Sequence, residues 1–362
     1  MSLHDVCNRT IRQSHLSHPA SLVDRAKQRP SLDAYRTQPL PQGFDWAGNV
    51  APGDRNGDAL NGNNRFTHFD PSAGLTYKVL PALTLYGSYA INNRAPTASE
   101  LECANPAAPC LLPTNLASDP PLKQVVAKTV EVGARGTLSD AGFGRFSWDL
   151  DVYRTNSEND IYGISTTIAS GFFQNVGSTR REGVDLGLTY QTVRVSAYLQ
   201  YSYIEATFRS AFLEPSPANP FQDANGNVEV NVGDELPLIP KHRVKLGADV
   251  KVLPNWSVGG TWVYVGPSFY RGDEDNLNPE LPGYAVASLR TSYQITKNVQ
   301  VFANIQNLFD RRYSTFGILG DPTGVGAPGV PANGSLGDPD VLPQFQSPAM
   351  PRAYFGGVKI SL

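Results

Sequence analysis

The strongest constraint in this chain is a two-residue alternation of apolar and polar side chains. Between 146 and 153, Phe146, Trp148, Leu150 and Val152 fall on one side, and Ser147, Asp149, Asp151 and Tyr153 on the other. Between 244 and 252, Val244, Leu246, Ala248, Val250 and Val252 oppose Lys245, Asp249 and Lys251. Between 195 and 203, Val195, Ala197, Leu199, Tyr201 and Tyr203 oppose Ser196, Tyr198, Gln200 and Ser202. Side chains of an extended strand point alternately to its two faces, so period 2 describes strands with one apolar and one wetted face. From about residue 65 the pattern predicts eleven strands: 66–79, 82–92, 122–138, 143–157, 173–190, 194–207, 237–252, 255–270, 283–295, 298–313 and 351–362.

The connections between these strands alternate in length. Short links fall at 78–83, 139–144, 191–194, 252–256 and 295–299, and long Gly/Pro/Asn/Asp-rich segments near 93–120, 158–172, 208–236, 271–282 and 314–350. Short at one end and long at the other is the pattern of an up-and-down antiparallel array. A weak internal repeat agrees with it. Residues 74–86, 187–198 and 290–302 each read as strand, short turn, strand, and each carries a Tyr just before the turn: Tyr77, Tyr190 and Tyr293.

Such an apolar face must be covered, either by a second sheet in a soluble sandwich or by lipid around a barrel. Three features point to lipid. Tyr77, Tyr190, Tyr293, Trp148, Trp256, Trp262 and Tyr264 sit toward strand ends on apolar faces, where an interfacial aromatic girdle needs rings with a wet tip. Loop lengths segregate by end. The polar face carries Glu131, Arg135, Asp149, Asp151, Lys245, Asp249 and Arg290, which suits a water-filled lumen. The expected class is therefore all-β, an antiparallel up-and-down transmembrane β-barrel, incomplete at about eleven strands. Thirty-three glycines, 29 prolines and a 40% hydrophobic content fit many turns between apolar-faced strands, and no apolar run reaches the roughly 18 residues of a membrane-spanning helix. With a formal charge of −3 and dispersed basic residues, nucleic acid is not an expected partner.

Residues 1–45 show neither period and are expected to be an unstructured lead-in, without the apolar core of a signal peptide; 46–362 form the barrel portion. Cys103 and Cys110, in a Pro-bracketed loop with no further Cys or His near, are expected to form a disulfide, with two free thiols as the alternative. No nucleophile, zinc or phosphate-binding motif is present, so no enzymatic activity, metal site or cofactor is expected. Residues 54–58 and 223–229 place Asp and Asn at alternate positions as calcium loops do, but both lack the completing residues and read as turn-rich loop tips.

Five segments, in order, resemble the TonB-dependent outer-membrane receptors. N-I-Q-N-L-F-D-R-R-Y (304–313) resembles their penultimate-strand motif, and R-A-P-T-A-S-E-L (94–101) a strand-to-loop junction. Residues 121–136, with T-V-E-V-G-A-R, and 175–186, N-V-G-S-T-R-R-E-G-V-D-L, are similar to two further strands; F-D-P-S-A-G-L-T-Y (69–77) matches another in order. The resemblance implies energy-coupled uptake of a scarce nutrient such as a ferric siderophore across the cell outer membrane. It identifies the chain as the C-terminal part of a receptor barrel, with no plug domain among its residues. It implies coupling to TonB only if a plug and TonB box are supplied elsewhere. The chain is thus expected to be a truncated fragment, with a passive porin-like pore or a soluble β-rich binding protein as alternatives. The ligand-binding candidates are loop aromatics and cations suited to an anionic chelate: Arg94, Phe172, Phe173, Phe221, Phe269, Tyr270, Arg271 and Tyr313.

Overall fold

The computed structural model describes residues 66–97, 122–140, 143–167, 170–320 and 343–361. Among them there is no helix, and seventeen strands run in chain order. These are β1 (Ser72–Leu80), β2 (Leu83–Arg94), β3 (Val125–Asp140), β4 (Gly144–Glu158), β5 (Ile161–Thr167), β6 (Ser170–Asn175), β7 (Thr179–Gln191), β8 (Val195–Phe208) and β9 (Phe212–Pro215). They continue with β10 (Asn227–Val230), β11 (His242–Leu253), β12 (Trp256–Val265), β13 (Tyr284–Gln294), β14 (Val299–Gln306), β15 (Ser314–Leu319), β16 (Gln344–Pro348) and β17 (Ala353–Ile360).

Eleven strands form one sheet in the order β1-β2-β3-β4-β7-β8-β11-β12-β13-β14-β17, every neighbouring pair antiparallel. This is the up-and-down array that the alternation predicts, with strand count and order as expected. The sheet is open, with β1 and β17 at its edges. Its register aligns the apolar positions into continuous rows. Trp148, Leu188, Leu199, Leu246, Trp262 and Ala287 lie side by side across six strands. One step along, Tyr190, Ala197, Ala248, Gly260, Leu289, Ile305 and Tyr354 do the same. A one-residue slip would turn every row to the polar side, so this face fixes the register.

Among the described residues nothing covers these rows. Leu85 is 44%, Val132 56%, Leu150 42%, Leu289 40% and Val358 61% exposed. At the short-turn end Tyr77, Tyr190, Trp256 and Tyr293 are exposed too. There the Tyr190 hydroxyl donates to the Phe143 carbonyl at 2.8 Å and Trp256 Nε1 to Thr291 Oγ1 at 2.9 Å, so each ring has a polar anchor at the sheet margin.

Three of the long connections, expected as loops, contain hairpins: β5–β6, β9–β10 and β15–β16. The stretch 173–190, expected as one strand, is two. Its break falls at Gly177, whose φ of +83° leaves the extended region, and β6 turns back on β5 there. The stretch 298–313 also ends early, at Gln306. Asn307 and Asp310 take positive φ (50° and 52°), and the Asn307 side chain bonds both the N–H and the carbonyl of Arg311 at 2.8 Å. The N-L-F-D tetrad is thus a turn rather than strand. It ties the start of the long connection to its end, because Asn307 also reaches the Met350 carbonyl and Asp310 accepts from the Arg352 N–H.

The buried apolar side chains described all lie at this long-connection end. One cluster joins Val176, Ala206, Phe208, Val228, Val230 and Leu236, flanked by Tyr162, Phe212 and Ile239. A second joins Tyr270, Leu281 and Leu319. Residues 1–65, the Cys103–Cys110 pair and the turn at 54–58 lie outside the described residues.

Candidate functional site

The polar face of the sheet forms a basin of about 660 Å³ beneath the long connections. Two cross-strand rows supply its floor. Asp149, Gly187, Gln200, Lys245 and Val263 form one, and Asp185, Ser202, Arg243 and Val265 the next. Its upper wall comes from the connections: Leu238, Pro240, Ser268, Leu281, Pro282, Ser314 and Thr315. Alternation places these charges here, since every inward residue neighbours an outward apolar one. Carboxylates and cations are mixed. The Lys245 ammonium lies 5.8 Å from the centre of the Tyr198 ring, and Arg135 is 5.5 Å from that of Tyr86. Farther along, Arg290 clamps Asp249 with two nitrogens and reaches Thr261 Oγ1 at 2.9 Å. Water and polar solutes can therefore wet this face without leaving an unpaired charge in apolar surroundings.

The sequence candidates sort into two groups. Arg94 stands exposed at the end of β2, Phe221 is exposed at the β9–β10 hairpin, and Tyr313 is half-buried with its ring 4.4 Å from that of Tyr284. Phe173 on β6 is half-buried and opposes Gly163; Phe172 follows the same hairpin, opposite Ile164. Phe269 is half-buried and its carbonyl accepts from the Leu238 N–H. Tyr270 is not a surface residue. It is 1% exposed, Gln346 donates to its hydroxyl at 2.7 Å, and its ring occupies the space that a side chain at Gly317 would need. Arg271 bridges elements instead of projecting outward: its guanidinium donates to the Gly163 carbonyl at 3.0 Å, and its backbone exchanges hydrogen bonds with Gly317 and Leu319. Phe173, Arg271 and Tyr270 are thus brought to one place, while Arg94 belongs to another connection.

Of residues 223–229, expected as a loop tip, 223–226 form the turn that leads into β10 and 227–229 are strand, paired with β9. Asp223 accepts from the N–H groups of Asn225 and Asn227, which hold its carboxyl below the usual range. Among the described residues no group of three or more His, Cys, Asp or Glu is arranged to hold a metal.

Sequence reasoning missed the buried polar cluster beside Arg271. Glu214, Asp273 and Glu274 are almost wholly buried, together with Asn219 and Asn278. Asn219 Nδ2 donates to the Gly272 carbonyl and to Asp275 at 2.9 Å, and Asn278 donates to Asp273 at 2.7 Å and to Asn219 at 3.1 Å. The run D-E-D-N-L-N (273–278) was the available signal, but acidic loops are ordinarily solvated.

An eleven-stranded meander with an uncovered apolar face, aromatic margins and a charged concave face narrows the family, and a profile match decides it. The profile described as TonB dependent receptor-like, beta-barrel, matches residues 33–308. The chain belongs to this family of receptor barrels. A probable TonB-dependent siderophore receptor of Acinetobacter baumannii, PiuA, is 28% identical over 192 residues, 52% of this chain and 24% of its own length. The catecholate siderophore receptor Fiu of Escherichia coli K12 is 23% identical over 245 residues, 67% of this chain and 29% of its own. The receptor-barrel chain therefore spans about a quarter of the length of these curated relatives. Among solved structures, PiuA superposes with a TM-score of 0.55 at 19% identity, covering 80% of this chain and 35% of that one. The copper transporter OprC gives 0.56 at 18%, covering 80% and 39%. These likenesses establish the barrel fold.

Proposed function

We propose that these residues form the membrane-embedded wall of a TonB-dependent receptor in the cell outer membrane, with a ferric siderophore or similar metal chelate as cargo. The observation that carries the reading is the outward face of the sheet, where rows of Leu, Val, Trp and Tyr run uncovered across neighbouring strands. Water-soluble monomers rarely expose apolar patches beyond a few hundred Å². A bilayer satisfies such a face and leaves the charged face to a lumen.

The cargo reading is supported by the relatives named for siderophores. Cargo reaches the basin from the long-connection end, where Arg94, Phe173 and Tyr313 offer cationic and aromatic contacts; Tyr270 and Arg271 serve as internal struts. Uptake requires no covalent step, and release driven by TonB acts through a plug for which this sheet is the wall.

The test is fractionation of the full chain followed by electrophoresis with and without boiling. The expected result is outer-membrane recovery and a heat-dependent mobility shift; a chain that stays soluble without detergent overturns the reading. For cargo, a ferric catecholate should quench tryptophan fluorescence saturably. A steady ion conductance in planar bilayers with no saturable quenching would indicate a passive pore.

A further inference from the structure

Three separate segments meet around the buried carboxyls. From β9, Glu214 points into the interface, and Ser216 Oγ just beyond it donates to the Gly272 carbonyl at 2.7 Å. From β5, the Tyr162 hydroxyl donates to Glu274 Oε1 at 2.9 Å. The connection 266–283 supplies Arg271, Asp273, Glu274 and Asp275. Each of Glu214, Asp273 and Glu274 has one carboxyl oxygen that is buried without a hydrogen-bond partner.

An ionised carboxylate in that condition carries most of its desolvation cost uncompensated. The cationic neighbour of Glu214 is Arg271, and its other charged neighbours, Glu274 and Asp275, are acids. Asp275 is faced in turn by Asp234 from the segment after β10. The excess is therefore negative, and these acids do not form a metal-ligand set among the described residues. Protons remove the charge and convert an orphaned oxygen into an O–H donor.

We propose that Glu214, Asp273 and Glu274 form a proton-held latch that fastens the β9–β10 hairpin and the 266–283 connection over the basin, closed when the carboxyls are protonated and loosened when they ionise. The latch adjoins the basin wall. Leu281 belongs both to that wall and to the apolar cluster with Tyr270, and the backbone pair Ser268–Leu281 closes the base of the same connection. Loosening 270–278 therefore moves a wall of the basin.

The direction of the pH response follows. Burial raises the Asp273 carboxyl to about 7 against the opposing hydrogen bonds from Asn278. Burial, and then the charge of Glu274, push Glu214 well up, and burial raises Glu274. An acid raised in the closed state contributes its full stability below its ordinary value, and that contribution is lost as pH climbs to the raised value. For Asp273 the window runs from about pH 4 to about pH 7, with opening increasing up to tenfold per pH unit.

The test is hydrogen exchange followed by mass spectrometry on the full chain in outer-membrane vesicles, corrected for intrinsic chemical rates. Between about pH 5.5 and about pH 7.5 the opening of 212–230 and 270–278 should rise at least about tenfold, while 284–294 stays unchanged. The Glu214→Gln, Asp273→Asn double variant should flatten this response, with 284–294 reporting that the sheet remains folded. A flat wild-type profile overturns the latch without recourse to any variant. So does a double variant that keeps the wild-type slope. Calcium chloride that restores protection at the higher pH, with EDTA reversing it, would assign the cluster to a cation and also overturn it.

Discussion

The sheet and the hairpins above it solve the same physical problem in opposite ways. Both are antiparallel β-structure in one chain, but the sheet presents its apolar side chains outward and the hairpins bury theirs among themselves. Phe208 shows the change within a single strand. Along β8, Leu199 and Tyr201 belong to the uncovered rows of the outward face, whereas Ala206 and Phe208, farther on and on the basin face by alternation, enter the cluster with Val228 and Val230. One strand thus turns one face to lipid and, beyond the basin, buries the other in protein. Stability at the two ends should therefore answer to different perturbations.

The sharpest way to break this contrast is to empty the protein-filled end. Phe208 is fully buried, with edge-on ring contacts to Tyr162 at 5.7 Å and Phe212 at 5.3 Å. Phe208→Ala should cost about 3–5 kcal/mol, confined to the hairpin layer. Hydrogen exchange would show it as lost protection in 212–230 with the heat-modifiable sheet intact; global loss of heat modifiability would show that the two regions are not separable. The complementary substitution is Leu246→Arg, at the middle of an uncovered row. It should cost about 2–4 kcal/mol in a bilayer, read by urea titration in vesicles. Its neighbour Lys245, on the basin side, should accept Leu with a much smaller change.

Sequence reading succeeded where each environment is uniform along a strand. Lipid on one side and water on the other impose a polarity that repeats every second residue, so β4, β8 and β11 were visible from the alternation alone. The hairpins were not visible, because their strands are four to seven residues long and their partners are set by contacts between distant connections. Val228 and Val230 gain meaning only when Phe208 and Leu236 arrive from elsewhere in the chain. The candidate site divides in the same way. The charges of the basin floor followed from alternation, whereas burial of Glu214 and Glu274 opposes what acidic residues ordinarily do. Tyr270 and Arg271 were read as loop residues offering aromatic and cationic contacts to a ligand, yet the feature that decides their surroundings is Gly317 and the β15–β16 hairpin.

A smaller effect tests how the long connections are anchored to the sheet. Asn307→Ala removes the side-chain bonds to Arg311 and Met350 and places a less tolerant residue at positive φ. Stability should fall by about 1–3 kcal/mol, since backbone strain of this kind and buried partners left unsatisfied are of that order. The loss should appear as faster proteolysis around 307–320 and 343–352, with β13 unaffected. Equal destabilisation of both would mean that this turn belongs energetically to the sheet.

The smallest effect is expected at the upper margin of the uncovered face. Arg154 on β4 and Glu182 on β7 are direct cross-strand neighbours and form an ion pair at 2.5 Å. They lie one alternation beyond Val152 and Val184 on the same face, where the apolar rows give way to charge. Both side chains are substantially exposed, so in water the pair contributes at most about 1 kcal/mol and salt screens it. Glu182→Gln should therefore alter unfolding in detergent by less than about 1 kcal/mol, with the difference shrinking as salt is raised. If the same substitution costs several times more in vesicles than in detergent, this margin lies within the apolar layer. The boundary between the lipid-covered and protein-covered regions would then sit higher on β4 and β7 than the exposure of these two residues places it.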